Sequence, residues 1–236
     1  MGRAFEYRKA AKLKRWGNMS RVFPKLSKAI TMAAKAGSPD PEMNPTLRTA
    51  IANAKAENMP KDNISAAIKR ATAKDAADLA EVNYEGKWHH GVLIFIETAT
   101  DNGTRTVANI KNIFTKAKCA LVPTGSLEFM FDRKSVFEMK TPDMDIEELE
   151  MELIDSGLEE IKIEDDEHIT IYADYTDFGN MSKKLEEMGL VCDKASLQRI
   201  PNSPIEITDE QMEDLVEFLD KIEDDEDVQN VYTNLA

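Results

Sequence analysis

Three histidines and two cysteines are the only imidazoles and thiols in the 236 residues, so ligand and nucleophile chemistry can be weighed residue by residue. His89 and His90 are adjacent, and neighbours in a regular strand or helix cannot chelate one ion, though a turn could allow it; polar turn residues are the reading preferred. His168 has no second histidine or cysteine at ligand spacing. Cys119 and Cys192 sit far apart in apolar settings and read as two buried, reduced thiols, not a disulfide framework. No glycine-rich strand-to-helix loop of the Walker or dinucleotide type occurs, and no Gly-x-Ser-x-Gly elbow. Carboxylate pairs such as Asp165-Asp166 and Asp224-Asp225 lie in charge runs, without the cleft that would drive two pKa values apart. These residues predict no catalysis, no metal and no cofactor. One stretch is more specific: Asp101-Asn102-Gly103-Thr104-Arg105-Thr106, where a strand gives way to a helix. It reads as a helix capped by Thr104 with Arg105 in a salt bridge, an anion site or domain interface being the alternative.

The chemistry that remains is electrostatic. The formal charge of −14 argues against polyanions only as an average. Residues 1–74 hold 16 Lys and Arg against 5 Asp and Glu, a surplus of 11 positive charges; residues 75–236 hold 14 against 39, a surplus of 25 negative charges. Phosphates meet a protein locally, so the segregation matters more than the sum. Arg21, Lys25, Lys28 and Lys35 follow one another at steps of four, three and seven residues, which places them on one helical face. Arg48, Lys55, Lys69 and Arg70 are available outside the apolar stripes of the next two helices. Arg3, Arg8, Lys9, Lys12, Lys14 and Arg15 form a basic arm ahead of them. Together these fourteen side chains are the candidate nucleic-acid contacts. No Asn, Gln and Arg set is placed to read base edges, so phosphate contact without sequence readout is expected.

The elements that would position them follow from periodicity. Phe23, Leu26, Ile30 and Ala33 make one apolar stripe, ended by Gly37 and Ser38-Pro39-Asp40-Pro41. Asn44-Pro45 reads as N-cap and first position of a second helix, stopped by Met59-Pro60; Asp62 would cap a third. After a linker over 73–79 the period changes. Strands are expected at 82–85 and 92–98, a helix at 104–116, and a half-buried strand over Leu127, Phe129 and Phe131. A βαββαβ order follows, of ferredoxin-like type. The helix at 209–222 and strand at 228–232 return to complete the sheet begun at Val82. The fold class is α+β multidomain: a basic three-helix bundle (1–79), a discontinuous α/β domain (80–133 plus 204–236), and an inserted ferredoxin-like domain (134–203). No stretch approaches the roughly 20 apolar residues that span a bilayer, and the charged start lacks a secretory h-region, so a cytoplasmic chain is expected; it is expected to be a monomer.

Asn44-Pro45-x-Leu47-Arg48-x-Ala50-Ile51, then Asn58-Met59-Pro60-Lys61-Asp62-Asn63-Ile64-x-x-Ala67-Ile68, are specific runs. With Tyr84-Glu85-Gly86, Thr100-Asp101-Asn102-x-x-Arg105-Thr106, Gly125-Ser126 and Val231-Tyr232-x-Asn234-Leu235, they span nearly the whole chain. On these motifs the sequence resembles the YebC family of probable transcriptional regulators, which includes a mitochondrial translational activator. The resemblance implies three domains with the second split around the third, a role on double-stranded DNA in transcription or on RNA and the ribosome in translation, and no catalytic residues. Gly2-Arg3-Ala4-Phe5-Glu6-Tyr7-Arg8-Lys9 stands where the family opens Gly-His-Ser-Lys-Trp-Ala-Asn-Ile, with positive charge kept. Lys87-Trp88-His89-His90-Gly91 replaces its Gly-Pro-Gly-Gly turn, and Thr233 its C-terminal histidine. The expected function is a non-enzymatic, DNA-binding regulator of transcription, with ribosomal RNA as the alternative ligand and protein partners met through the acidic domains.

Overall fold

The computed structural model describes residues 19–73, 78–165 and 167–236, the side chains of 19–21 excepted. The helical periodicity of the first part is realised as α1 (Met19–Ala36), α2 (Pro45–Ala56) and α3 (Lys61–Thr72). Ile30, Leu47, Ala54 and Ala67 carry the apolar stripes into full burial. Asn44 caps α2 as its type and position demand: Oδ1 accepts from the Leu47 amide at 3.0 Å, and Nδ2 donates to the Ala33 and Ser38 carbonyls at 2.8 Å each. A Cβ on Gly37 would stand 2.8 Å from that Nδ2, so glycine is what admits the amide. Asn58 ends α2 with a left-handed φ of 59°, and the Met59 amide closes onto the Ala54 carbonyl at 2.9 Å, the six-to-one bond of a left-handed C-cap. Asp62 does not cap α3; the N-cap position is Pro60, and Asp62 lies inside the first turn, where its charge still opposes the helix dipole favourably.

The described residues fall into two compact units. One lies within Met1–Lys28, Asp75–Asp132 and Ile200–Ala236; the other lies within Ala29–Lys74 and Arg133–Arg199. In the first, β1 (Ala80–Lys87), β2 (Leu93–Thr100), β3 (Ala120–Val122) and β8 (Val228–Thr233) form a sheet in the order β3-β1-β2-β8. β1 pairs antiparallel with β2 and with β3, and β2 antiparallel with β8. α4 (Gly103–Lys116) and α7 (Asp209–Glu223) cover it through Ile110, Phe114, Leu215, Phe218 and Ile222. The C-terminal segment thus returns to the first sheet as expected. Asn234 fastens it: buried, it accepts from the Leu93 amide at 2.7 Å. β1 passes so close to α4 that a Cβ on Gly86 would meet the Phe114 ring at 2.2 Å.

In the second unit, β4 (Phe131–Lys140), α5 (Ile146–Leu153), β5 (Leu158–Ile163), β6 (His168–Asp174), α6 (Phe178–Glu187) and β7 (Cys192–Pro201) follow the βαββαβ order. The strand order β5-β6-β4-β7 is that of a ferredoxin-like sheet. Phe137, Met139, Ile169 and Ile171 pack against Leu149, Leu153, Met181 and Leu185 of its helices. The β7 edge is closed by a side chain from α2: Asn53 donates to the Ala195 carbonyl at 2.6 Å and accepts from its amide at 3.2 Å. That amide imitates a neighbouring strand and blunts an edge that would otherwise invite pairing. The expected strand over 127–131 is not formed. Glu128–Met130 is a short 3-10 turn, Leu127 and Phe131 are buried on either side, and Phe129 is exposed. The division at 1–79, 80–133 with 204–236, and 134–203 we keep as a proposal for the folding domains.

Gly86→Ala should destabilise the first unit by about 1–3 kcal/mol, the usual cost of overpacking a dense core. Urea unfolding read by Trp88 fluorescence checks this, and an unchanged midpoint would show that the Phe114 ring yields freely.

Candidate nucleic-acid interface

The acidic run 223–227 that follows α7 supplies the residue around which the basic helix is organised. Asp227 is 3% exposed, and its amide turns back onto Asp225 Oδ1 at 2.9 Å. A buried carboxylate needs donors on both oxygens. Oδ1 receives the Lys28 ammonium at 2.8 Å. Oδ2 receives the Arg105 guanidinium at 2.8 Å, with the Thr106 and Thr100 hydroxyls at 2.8 and 3.1 Å. Burial on its own would raise the Asp227 pKa. Hydrogen bonds from Lys28, Arg105 and Thr106 outweigh that and hold the carboxyl well below its ordinary value of 3.8. The motif from Thr100 to Thr106 is therefore a receptor for this chain's own carboxylate. Asn102, not Thr104, caps α4, accepting from the Arg105 amide at 3.1 Å. Arg105 does form the expected salt bridge, to Asp101 at 2.9 Å as well as to Asp227.

This geometry decides what the basic stripe can do. Lys28 donates to Asp227 Oδ1, to the Glu226 carbonyl at 2.8 Å and to the Ala99 carbonyl at 3.1 Å. An ammonium has three protons, and Lys28 has spent all three. Lys25 donates to the Glu223 carbonyl at 2.9 Å, at the end of α7, where the helix dipole favours a cation. Arg48 is half-buried and turns to the Pro41 and Glu42 carbonyls at 3.1 and 3.3 Å, with Glu186 3.9 Å away. Lys25, Lys28 and Arg48 thus bind the protein itself.

The other predicted cations are placed differently. Lys55, Lys69 and Arg70 are exposed, and no side-chain hydrogen bond or ion pair joins them to another described residue. Lys35 is exposed near the end of α1. Lys61, which the spacing argument passed over, is exposed in the first turn of α3. Its signal was its place in the Met59-Pro60-Lys61-Asp62 run. Arg3, Arg8, Lys9, Lys12, Lys14, Arg15 and the side chain of Arg21 lie outside the described residues.

Elsewhere the surface discourages phosphate. Tyr172 lies on the face of the ferredoxin-like sheet opposite its helices, and its hydroxyl is pushed up to about 12 by burial and by Glu164, Glu160 and Glu138. His89 Nε2 lies 3.0 Å from the Ala117 carbonyl and 3.5 Å from Cys119 Sγ. His168 Nδ1 is 3.0 Å from Asp165. No group of three or more His, Cys, Asp or Glu suited to a metal occurs among the described residues. Both cysteines are free but half-buried instead of fully enclosed. Burial raises the Cys119 thiol, and burial followed by Asp193 raises Cys192 to about 11.

Helices at the N-terminal end followed by two antiparallel sheets, one of them ferredoxin-like, define a mixed α/β class. The comparisons make this specific. The TACO1/YebC N-terminal domain matches residues 3–74, and the TACO1/YebC second and third domain matches residues 79–235. The chain belongs to the TACO1/YebC family. It is 61% identical to a "Probable transcriptional regulatory protein" of Sulfurimonas denitrificans over 237 residues, and 60% identical to one of Wolinella succinogenes over 238, in each case across 100% of both chains. Its structure matches the crystal structure of a conserved hypothetical protein from Aquifex aeolicus with a TM-score of 0.79 at 33% identity, covering 93% of this chain and 90% of that one. No helix among the described residues is long and apolar enough to cross a membrane.

Because the Asp227 pKa is lowered on folding, its stabilisation is present above about pH 4 and is lost as pH falls below that value toward the folded pKa. Asp227→Asn should be less stable than wild type at pH 7 by about 1–3 kcal/mol, the range for a lost buried charged hydrogen bond. The gap should narrow by pH 3. Chemical denaturation at both pH values checks it; a gap of constant size would mean that Asp227 is not ionised in the folded protein.

Proposed function

We propose that the chain is a non-enzymatic regulator of transcription that works in the cytoplasm as a monomer and holds double-stranded DNA by its phosphates. The observation that carries this reading is the charge segregation, with 11 surplus positive charges in residues 1–74 and with Lys55, Lys69 and Arg70 exposed on α2 and α3, in no ion pair with another described residue. Names of the relatives point the choice toward transcription. The contacts are Lys35, Lys55, Lys69 and Arg70, joined by Lys61 and by the cations of residues 3–21. Lys28 is withdrawn from the set, because its three protons are committed inside the protein; Lys25 and Arg48 are withdrawn with it, because each already turns donors onto carbonyls of the chain itself.

Phosphate contacts of this kind fix register and orientation without reading bases. Each one releases counterions, so affinity falls with salt by about 0.9 in log–log slope per contact. The surplus of 25 negative charges in residues 75–236 repels the duplex from the rest of the molecule, which leaves that part to meet protein partners.

The triple variant Lys55→Glu, Lys69→Glu, Arg70→Glu should keep its unfolding midpoint. Its binding to a 30-base-pair duplex, followed by fluorescence anisotropy across a salt series, should weaken with a slope shallower by about 2.7, three contacts at about 0.9 each. An unchanged slope would remove these residues from the interface. Stronger binding to a ribosomal RNA helix than to the duplex would move the protein from transcription to translation.

A further inference from the structure

The run Cys119–Phe131 carries one charged residue, Glu128, in a chain that is 31% charged. Much of it nonetheless faces solvent. Pro123, Thr124, Gly125, Glu128 and Phe129 are all exposed, and Phe129 is 73% exposed. An uncharged, outward-facing loop with a protruding aromatic has the composition of an interface core, where charge is depleted and aromatics are enriched.

The loop is also held still. Glu85 is 1% exposed and its carboxylate accepts from the Gly125 amide at 2.6 Å and from the Leu127 amide. Leu127 and Phe131 bury against Phe95 on either side of Phe129, the Phe95 and Phe131 rings meeting edge to face at 5.9 Å. Asn202 donates its side-chain amide to the Phe129 carbonyl and its backbone amide to the Met130 carbonyl, both at 3.0 Å. Everything around Phe129 is fixed while its ring is left in water. A preorganised aromatic of this kind is what an interface hot spot requires, since little ordering remains to be done on binding.

We propose that Phe129 and the Pro123–Gly125 turn form a docking surface for a protein partner that offers an apolar pocket with a basic rim. The chemistry of the loop selects protein over nucleic acid. The Gly125 and Leu127 amides, which could cradle a phosphate, already hold a carboxylate. The Ser126 amide closes onto the Pro123 carbonyl at 3.1 Å, and the Met130 amide onto the Leu127 carbonyl at 2.9 Å. Glu128 and Asp132, one and three residues from Phe129 in sequence and both exposed, repel phosphates and complement a basic rim.

The test places the photo-crosslinker p-benzoylphenylalanine at Thr124 of the full chain in its own cells, with nuclease treatment before analysis. The expected adduct is a protein whose crosslinked surface is apolar and basic. That protein, purified, should bind wild type with an affinity that rising salt weakens. Phe129→Ala should weaken binding about tenfold or more at an unchanged unfolding midpoint, and Phe129→Leu should lose less. An adduct with nucleic acid, no protein adduct, equal affinity for the alanine variant, or a Phe129→Ala chain that unfolds more readily would each overturn the proposal.

Discussion

A single buried carboxylate sets the terms for the rest of the molecule. Asp227 sits where the acidic run after α7 turns into β8, and four side chains from three stretches converge on it: Lys28, Thr100, Arg105 and Thr106. Unpaired, such a group would cost several kcal/mol, of the order of the effective penalty for burying an ion. Paired as it is, it ties α1 and the start of α4 to the last strand of the first sheet. Its backbone takes part too, since the Asp227 carbonyl accepts from the Ala99 amide at 2.8 Å. The Thr100-Asp101-Asn102-x-x-Arg105-Thr106 motif thus has a physical reason that lies 121 residues beyond Thr106 in sequence.

The same pairing divides the cations into two populations. Helical spacing puts Arg21, Lys25, Lys28 and Lys35 on one face and cannot say what that face meets. Lys25 and Lys28 meet a helix end and a carboxylate 198 and 199 residues away in sequence, and they serve the fold. Lys55, Lys69 and Arg70 meet solvent. A net positive segment is therefore not one surface, and the phosphate contact we propose falls on its exposed part, Lys55, Lys69 and Arg70.

Local signals were legible wherever a residue's own backbone needs decide the structure. Asn44 with Pro45 announced a cap, Met59-Pro60 a helix end, and the βαββαβ order of elements from Val136 through Leu197 a ferredoxin-like unit. The return of residues 228–232 to the first sheet could be inferred because that strand has no partner of its own. Where two local answers compete, the reading failed. Asn102 and Thr104 are both good caps two residues apart, and it is Asn102 that accepts from the Arg105 amide. Alternation over 127–131 fits a strand, but the Glu85 carboxylate bends the chain before it and turns Phe129 outward. The Asn53 edge closure on β7 left no trace in composition or period, because an asparagine in a helix has many unremarkable uses.

What distinguishes the two populations in solution is the state of the lysine ammonium protons. Nitrogen-15 NMR of the lysine side chains, with and without a DNA duplex, tests this directly. Lys28 should show slowly exchanging Nζ protons whose shift ignores the duplex, while Lys55 and Lys69 exchange rapidly and move as the duplex is added. A Lys28 signal that shifts with DNA while Lys55 and Lys69 stay fixed would contradict the account at its root.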